Sequence, residues 1–410
     1  MFRIMSYENV DLSGKKLLVR LDLNSPIDPK TGKIIDDTRL RIHAQSIKKL
    51  LEKDPALVLL SHQGRPGEAD FTDLSQHAEI LSRYSGVDIR FIPDIIGPTA
   101  LNEIKEMRRG EVILLDNVRF LSEELIEAPP EVQSKTFLVK RLSPLIDLFI
   151  NDAFATAHRS QPSIVGFPPV LRSCAGPVMI QEIRAISKIL GETDSPKIFV
   201  LGGAKIIDTI RVIENISRKR LADRILTTGL VALLFQVAKG VKSNQYIMRV
   251  LESRGLLSLV QRARRLIIQG APIETPIDYR VLRDNNEVSN DPAYRVSGAP
   301  LDIGEETIEM YSSMIKEANL VVMRGPAGYI EDPRFSVGTK ILVEEAINSK
   351  AYVIIGGGHL NMFVPEEKRG LERIHVSSGG GALLEFLSQL TLPAIEALEY
   401  SYRRFWGGEN

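Results

Sequence analysis

Short apolar runs alternate with amphipathic segments along the whole of this 410-residue chain, and that alternation limits the fold more than any other feature. The runs "KKLLVRLDL", "ALVLLSH", "VDIRFI", "EVILLDN" and "LFINDAF" occupy the first half. "KIFVLGG", "RILTTG", "RLIIQG", "NLVVMRG", "AYVIIGGG" and "RIHVSS" occupy the second. Each is dominated by apolar residues, as a parallel strand covered on both faces must be. The intervening segments have helical periods, so the chain predicts an α/β protein of doubly wound, parallel-sheet (Rossmann-like) domains. Its length favours two of them over one ordinary core. Near 162–178 the sequence turns loop-like, "QPSIVGFPPVLRSCAGPV", and then enters "MIQEIRAISKILGE", apolar at three- and four-residue steps. That amphipathic segment is the expected hinge helix between the two domains.

Lys and Arg total 52, as do Asp and Glu, so no global basic field for nucleic acid is expected. Cys174 is the single cysteine, which excludes an intramolecular disulfide and an all-cysteine zinc site. The start, "MFRIMSYENVDLSGKK", lacks the long apolar region of a signal peptide. No apolar stretch reaches the ~18–20 residues of a membrane span. The chain therefore reads as cytoplasmic, with neither a membrane nor a nucleic acid as partner.

The strand ends of the two halves differ in chemistry. In the first half they carry cations and histidines: Arg20, Asp22 and Asn24 in "VRLDLNSP", His62 and Arg65 in "LSHQGRP", Arg119 in "LDNVRF", His158 and Arg159 in "NDAFATAHRS". Arg39 and Arg41 open the next helix in "IIDDTRLRI". Ligands of open α/β sheets bind beyond the carboxyl ends of the strands, and the planar guanidinium fits carboxylate and phosphate oxygens. One such arginine reads equally as a surface ion pair. Several at successive strand ends read as a pocket for a small polyanion.

In the second half the strand ends carry glycine: Gly202-Gly203 in "FVLGGAKIIDTIRVIENI", then "RGPAG", "GGGH" and "SSGGGALLEFL". Glycine admits phosphates close to backbone N–H groups, and a helix that opens after it adds its dipole. The turn before Lys205 is not a Walker loop, because the spacing differs and no Ser or Thr comes after the lysine. A polyanion on one domain and a nucleotide on the other, with a cleft between them, suits phosphoryl transfer with closure against water.

Together with "IIDDTR" and "GPAGYIEDPRFSVGT", these segments form nine matches in order, and through them the chain resembles the phosphoglycerate kinases along essentially its whole length. The resemblance implies interconversion of 3-phosphoglycerate and 1,3-bisphosphoglycerate with ATP and ADP, a reaction of glycolysis and gluconeogenesis, by a monomer or homodimer using Mg²⁺. It implies that Asp22, Asn24, Arg39, His62, Arg65, Arg119 and Arg159 hold the phosphoglycerate. Gly203 and Lys205 would grip nucleotide phosphates and Glu331 the ribose hydroxyls, with Gly356, Gly357, Gly358, Gly379, Gly380 and Gly381 around the nucleotide. Arg39, Lys205, Gly357 and Gly380 would stand at the transfer itself. The expected domains are then 1–175 for phosphoglycerate, 176–191 for the hinge helix and 192–378 for the nucleotide, with 379–410 packing back toward the first.

Three positions depart from the family's usual residues. Thr209 stands where many members have a second lysine, His359 where many have a metal-associated aspartate, and Arg324 where an asparagine is usual. The histidine resembles the archaeal branch. Asp208, one turn into the helix after Lys205, is the candidate Mg²⁺ ligand through the Mg-nucleotide, or else a carboxylate that favours the helix dipole. Arg324 either supplies the cation missing at Thr209 or pairs with Asp332. An NAD-dependent dehydrogenase is disfavoured, since no strand leads into G-x-G-x-x-G with a downstream acid. A kinase of another small carboxylate, and a binding relative without turnover, remain as alternatives.

Overall fold

The computed structural model describes residues 2–191, 195–241, 245–369 and 371–407. The chain divides into two compact units, Met1–Arg184 with Thr391–Asn410, and Ala185–Leu390. Among the described residues, no helix is long and apolar enough to cross a membrane.

The first unit is built on six parallel strands, β1 (Lys16–Arg20), β2 (Ala56–Leu60), β3 (Ile89–Ile92), β4 (Val112–Leu115), β5 (Leu148–Asn151) and β6 (Ser173–Ala175). Their order is β3-β4-β2-β1-β5-β6. Successive side chains leave opposite faces of a strand. Leu17, Val19, Leu57, Leu59 and Ile150 accordingly enter one core, while Leu18, Val58, Leu60, Ile113 and Phe149 enter another. Helix Thr38–Leu51 closes the first with Leu40, Ala44 and Ile47, and helix Pro98–Glu106 closes the second with Ala100 and Ile104. The chain runs outward from β1 on one side and returns to β5 on the other, so the order reverses at β1, where such sheets bind ligands.

The second unit repeats the plan with β7 (Lys197–Leu201), β8 (Arg224–Thr227), β9 (Ile273–Glu274), β13 (Leu320–Arg324), β14 (Tyr352–Gly356) and β15 (Ile374–Ser377), in the order β15-β14-β13-β7-β8-β9. Between β9 and β13 lies an antiparallel sheet of β10 (Asp278–Leu282), β11 (Val288–Pro292) and β12 (Ala299–Ile303), in the order β11-β10-β12.

The structure corrects several expectations from sequence. "RLIIQG" is not a strand but the end of helix Val260–Ile268, whose Ala263 and Leu266 are buried one turn apart while Ile268 is exposed. The strand there is the two-residue β9. The loop-like stretch before the connector contains β6. The antiparallel sheet has no counterpart among the expected strands, because its strands carry few consecutive apolar residues. The return toward the first unit begins at 391 rather than 379. Helix Gly380–Gln389 stays with the second unit, held by the Asn215 amide donating to the Leu387 carbonyl at 2.8 Å. Helix Pro393–Ser401 then joins the first unit, where the Ala394 N–H donates to the Ala157 carbonyl at 3.0 Å and Ser401 Oγ accepts from the Ser173 N–H at 3.0 Å. The expected boundary at 192 lies outside the described residues.

The connecting helix, Pro177–Leu190, has a buried charge at each end. Asp152 Oδ1 accepts from the N–H groups of Val178 at 2.7 Å and Met179 at 3.1 Å, satisfying donors that the first turn leaves free. Lys197 Nζ donates to the carbonyls of Ile189, at 3.0 Å, and Gly191. Each charge has the sign that the helix dipole favours at its end.

The strand-end loops of the first unit are tied by a buried polar web. Gln63 Nε2 donates to the carbonyls of Ser25 and Asp70, so its Oε1 accepts from the Ser25 N–H at 2.9 Å and from His77 Nε2 at 3.0 Å. Asn117 donates to the carbonyls of Gln63 and Thr72, while its Oδ1 accepts from the N–H groups of Gln63 and Arg119. These amides hold three loops in one arrangement beneath the strand ends.

Two consequences are measurable. Asp152→Ala should cost about 2–3 kcal/mol, from a lost cap that leaves three buried donors unsatisfied, the N–H groups of Val178 and Met179 and the Ser46 hydroxyl. Urea unfolding monitored by Trp406 fluorescence checks this, and a cost below ~0.5 kcal/mol would mean the cap contributes no more than an ordinary surface group. Burial draws His77 down to about 4, only partly opposed by Asp73. The unfolded chain takes up this proton as pH falls through ~6.5, whereas the folded chain waits until about 4, so stability falls with pH across that window. The loss should reach about 3 kcal/mol. In His77→Gln that part of the slope should vanish, as measured by urea midpoints across the same range.

Candidate functional site

The strand ends of the first unit bring Arg20, Arg39, Arg65, Arg119 and Arg159 into one group, whereas Arg41 turns away to pair with Asp37 at 2.9 Å. Arg20 ends β1 and is 1% exposed, and Asp22, two residues on, is 2% exposed. Arg39, in the first turn of helix Thr38–Leu51, donates from NH1 to Asp22 Oδ2 at 2.6 Å. One turn further on, His43 Nε2 accepts from the Asp22 N–H at 3.2 Å. Beyond β2, His62 is buried and Arg65 exposed, and Asn24 Oδ1 accepts from the Gly64 N–H at 2.8 Å. Beyond β4, the buried Arg119 donates to the Gly64 carbonyl. Arg159, beyond β5, is half-buried.

The electrostatics of this group are unbalanced. Arg119 falls to about 10, first through burial and then through Arg159, Arg20 and Arg65. Arg159 is lowered as well, by burial and then Arg65. His62 lies well below the ordinary histidine range, pushed down by burial and then by Arg20, Arg119, Arg159 and Arg39. Five guanidinium groups thus share one field, against the buried carboxylates of Asp22 and Glu124. Arginine does not relieve such crowding by losing its proton. A small ligand with several negative charges does relieve it. Asp22 Oδ1 is buried without a hydrogen-bond partner, 3.9 Å from His62 Nδ1.

In the second unit the turns after β7, β8 and β13 interlock through the backbone. The Gly202 N–H donates to the Arg324 carbonyl at 2.8 Å, Gly203 to Pro326 at 3.0 Å and Gly229 to Ala327 at 2.9 Å. A Cβ on Gly202 would lie 2.5 Å from the Pro326 oxygen, so this glycine serves chain packing. Gly357 differs: its φ is +108° and nothing lies within 4 Å of where a Cβ would stand. Gly358 and Gly381 are open in the same way, whereas Gly380 abuts Gly357. The side of the glycine turns available to a ligand is therefore that of Gly357, Gly358 and Gly381. Gly356 is closed by Leu383 on its Cβ side, and Gly379 donates to Ser377 Oγ at 3.2 Å.

Lys205 caps helix Ile206–Arg218, and its side chain is exposed with no hydrogen bond or ion pair. Glu331 is exposed on the turn after β13, also without a partner. Thr209 is 2% exposed, with its hydroxyl donating to the Lys205 carbonyl at 2.9 Å, so it points into the helix packing. Arg324 does not pair with Asp332, which binds Arg334 NH2 at 2.7 Å. Instead the Arg324 Nε is buried without a partner, burial lowers the group, and Asp208 is the one charge favouring it. His359 is exposed in the short helix Gly358–Asn361.

Among the described residues, no three His, Cys, Asp or Glu side chains converge as a metal site. The Asp208 carboxylate makes no hydrogen bond or ion pair. One carboxylate without a hydrogen bond, on the helix that follows the glycine turn after β7, fits Mg²⁺ carried on a nucleotide, because this ion keeps phosphates and waters as its other ligands.

Arg20 is one of the strand-end cations in the sequence, yet it has no place in the expected site. A signal for it exists: a charged residue closing an apolar strand is buried only with a purpose. His43 and Glu124 carry no such signal.

The family model described as phosphoglycerate kinase matches residues 7–389. A phosphoglycerate kinase of Sulfurisphaera tokodaii is 56% identical over 396 residues, covering 96% of this chain and 95% of that protein. One from Saccharolobus solfataricus is 54% identical over 399 residues, covering 97% of each. The crystal structure of the phosphoglycerate kinase from Pyrococcus horikoshii superposes with a TM-score of 0.87 at 38% identity, covering 98% of this chain and 100% of the other. With the family model and whole-length relatives in agreement, the chain belongs to the phosphoglycerate kinase family.

Proposed function

We infer that the chain moves a phosphoryl group between ATP and 3-phosphoglycerate (1,3-bisphosphoglycerate + ADP = 3-phosphoglycerate + ATP), within glycolysis and gluconeogenesis. The observation that carries this reading is the excess of guanidinium charge at the strand ends of the first unit. A simple carboxylate would balance one of these cations. An acceptor that also carries a phosphate balances several.

Arg65, Arg119 and Arg159 would receive that phosphate, with Asp22 and Asn24 on the body of the acceptor. Arg39 would meet the attacking carboxylate, which is ionised at neutral pH, so no general base is needed. Phosphoryl transfer then asks for alignment and neutralisation of charge on the equatorial oxygens. MgATP enters as a substrate. Gly203 and Lys205 would grip its phosphates, with Gly357 and Gly380 nearest the transfer and Gly356, Gly358, Gly379 and Gly381 around the nucleotide. Glu331 would take the ribose hydroxyls and Asp208 the Mg²⁺ of the Mg-nucleotide.

The buried, unpartnered Nε of Arg324 supports a role for this residue as the cation that Thr209 cannot provide. Thr209 faces inward, so a lysine there would have to displace packing before it reached a phosphate.

Purified protein should phosphorylate 3-phosphoglycerate with MgATP in a coupled assay and use glycerate poorly. Absence of turnover in both directions rejects the reading. Arg39→Ala should lower kcat by about 10²-fold or more, because its charge acts on the transition state. Arg65→Ala should act mainly on the KM for phosphoglycerate. Equal effects on KM alone would contradict that division. Arg324→Asn should lower kcat by about 10²-fold without loss of thermal stability, since it removes a buried, unpartnered donor. Normal turnover in this variant would exclude Arg324 from the transfer.

A further inference from the structure

We infer that Arg20 is a positioning residue that holds the His62 imidazole in its Nε2–H tautomer, so that His62 presents one fixed donor to an oxygen of the acceptor substrate; the substrate part rests on the function proposed above. Arg20 NH2 lies 3.2 Å from His62 Nδ1. A guanidinium only donates, so Nδ1 is the acceptor and the imidazole proton sits on Nε2. His62 Nε2 has no protein partner and is not sealed from solvent.

The groups around the ring agree with this assignment. Asp22 Oδ1, 3.9 Å from Nδ1, is the acid that would favour a proton there. Arg20 is closer, and Asp22 is already engaged through Oδ2 by Arg39. Arg20, Arg119, Arg159 and Arg39 all oppose a charged imidazole. His43, on the other side of Asp22, is held in the opposite tautomer: its Nε2 accepts the Asp22 N–H, leaving Nδ1–H toward Asp152 Oδ2 at 3.5 Å. Two buried histidines flanking one carboxylate thus have opposite proton positions, each set by a donor that cannot accept.

Arg20 is itself held by the protein. Its Nε donates to Ser163 Oγ at 2.9 Å and its NH1 to the Leu21 carbonyl. Ser163 binds the buried Glu124 through both its hydroxyl and its N–H, the latter at 3.0 Å. Glu124 is the charge that most favours the arginine, ahead of Asp22. All three kinds of guanidinium nitrogen therefore have protein partners, and the charge is balanced without substrate. This is the arrangement of a residue that acts through its neighbour.

A neutral donor has a specific use in this pocket. A protonated His62 would add a sixth cation to five that already repel one another. The neutral Nε2–H adds direction instead, and does so independently of pH across the usual histidine range.

The test uses the full chain with ¹⁵N-labelled histidines and long-range ¹H–¹⁵N spectra, the His62 signals being assigned by their loss in His62→Gln. Nδ1 should appear unprotonated and Nε2 protonated, unchanged as pH is lowered through ~6.5. An Nδ1–H tautomer, or an ordinary titration, overturns the inference. In Arg20→Met the ring should populate both tautomers, and the KM for 3-phosphoglycerate should rise about ten-fold or more while that for MgATP holds. Arg20→Lys should recover the tautomer and much of the KM. A folded Arg20→Met with an unchanged ring overturns the inference; if that variant does not fold, the wild-type and Arg20→Lys spectra decide. The spectra read the resting protein, so the stated tautomer in a chain without turnover would support the assignment while rejecting the proposed function.

Discussion

A parallel sheet covered on both faces leaves its strand ends as the place for chemistry, and the features particular to this protein derive from that constraint. The alternating Leu, Val and Ile side chains of β1, β2 and β5 are consumed by the two cores of the first unit. No polar group can enter them without losing its hydration. Charge therefore accumulates where the strands stop, and the reversal of strand order at β1 leaves room for it there. The second unit obeys the same rule with glycine turns in place of arginines.

Concentrating five guanidinium groups at those ends requires a scaffold that resists their repulsion. Part of it is the amide web of Gln63 and Asn117, which ties the loops through neutral hydrogen bonds that like charges cannot weaken by titration. Part is the pair of buried carboxylates, Asp22 and Glu124, each engaged by the protein. Removing one partner from such an arrangement leaves an uncompensated charge, which is why these groups behave as a unit. Asp22 is central, for its side chain meets Arg39 and its N–H meets His43, which in turn faces the Asp152 that caps the connecting helix.

On the function proposed above, the two units handle phosphate by different physics. In the first, long cationic side chains converge on a small space, and specificity comes from how many charges the ligand can offer. In the second, open backbone at Gly357, Gly358 and Gly381 stands beside an exposed lysine, and the neighbouring glycines exist so that turns can pack against one another. Of the glycines that look alike in sequence, Gly202 and Gly325 are occupied by chain packing and Gly357 is not.

Much was legible in the residues alone. Local burial periodicity determined most of the strands and which charged residues stand at their ends, because both depend on neighbours within a few positions. Local pattern failed where it was too short to discriminate: "RLIIQG" has the apolar content of a strand but the face of a helix, and β6 hides in a proline-rich run. The tertiary structure alone decided the proton on His62, the inward turn of Thr209, the free Nε of Arg324 and the return of the chain at 391. Each depends on a partner distant in sequence, as Arg20 depends on Ser163, 143 residues away. Burial and pairing set the energy of a charge, and a sequence read in order holds neither until the chain has folded back upon itself.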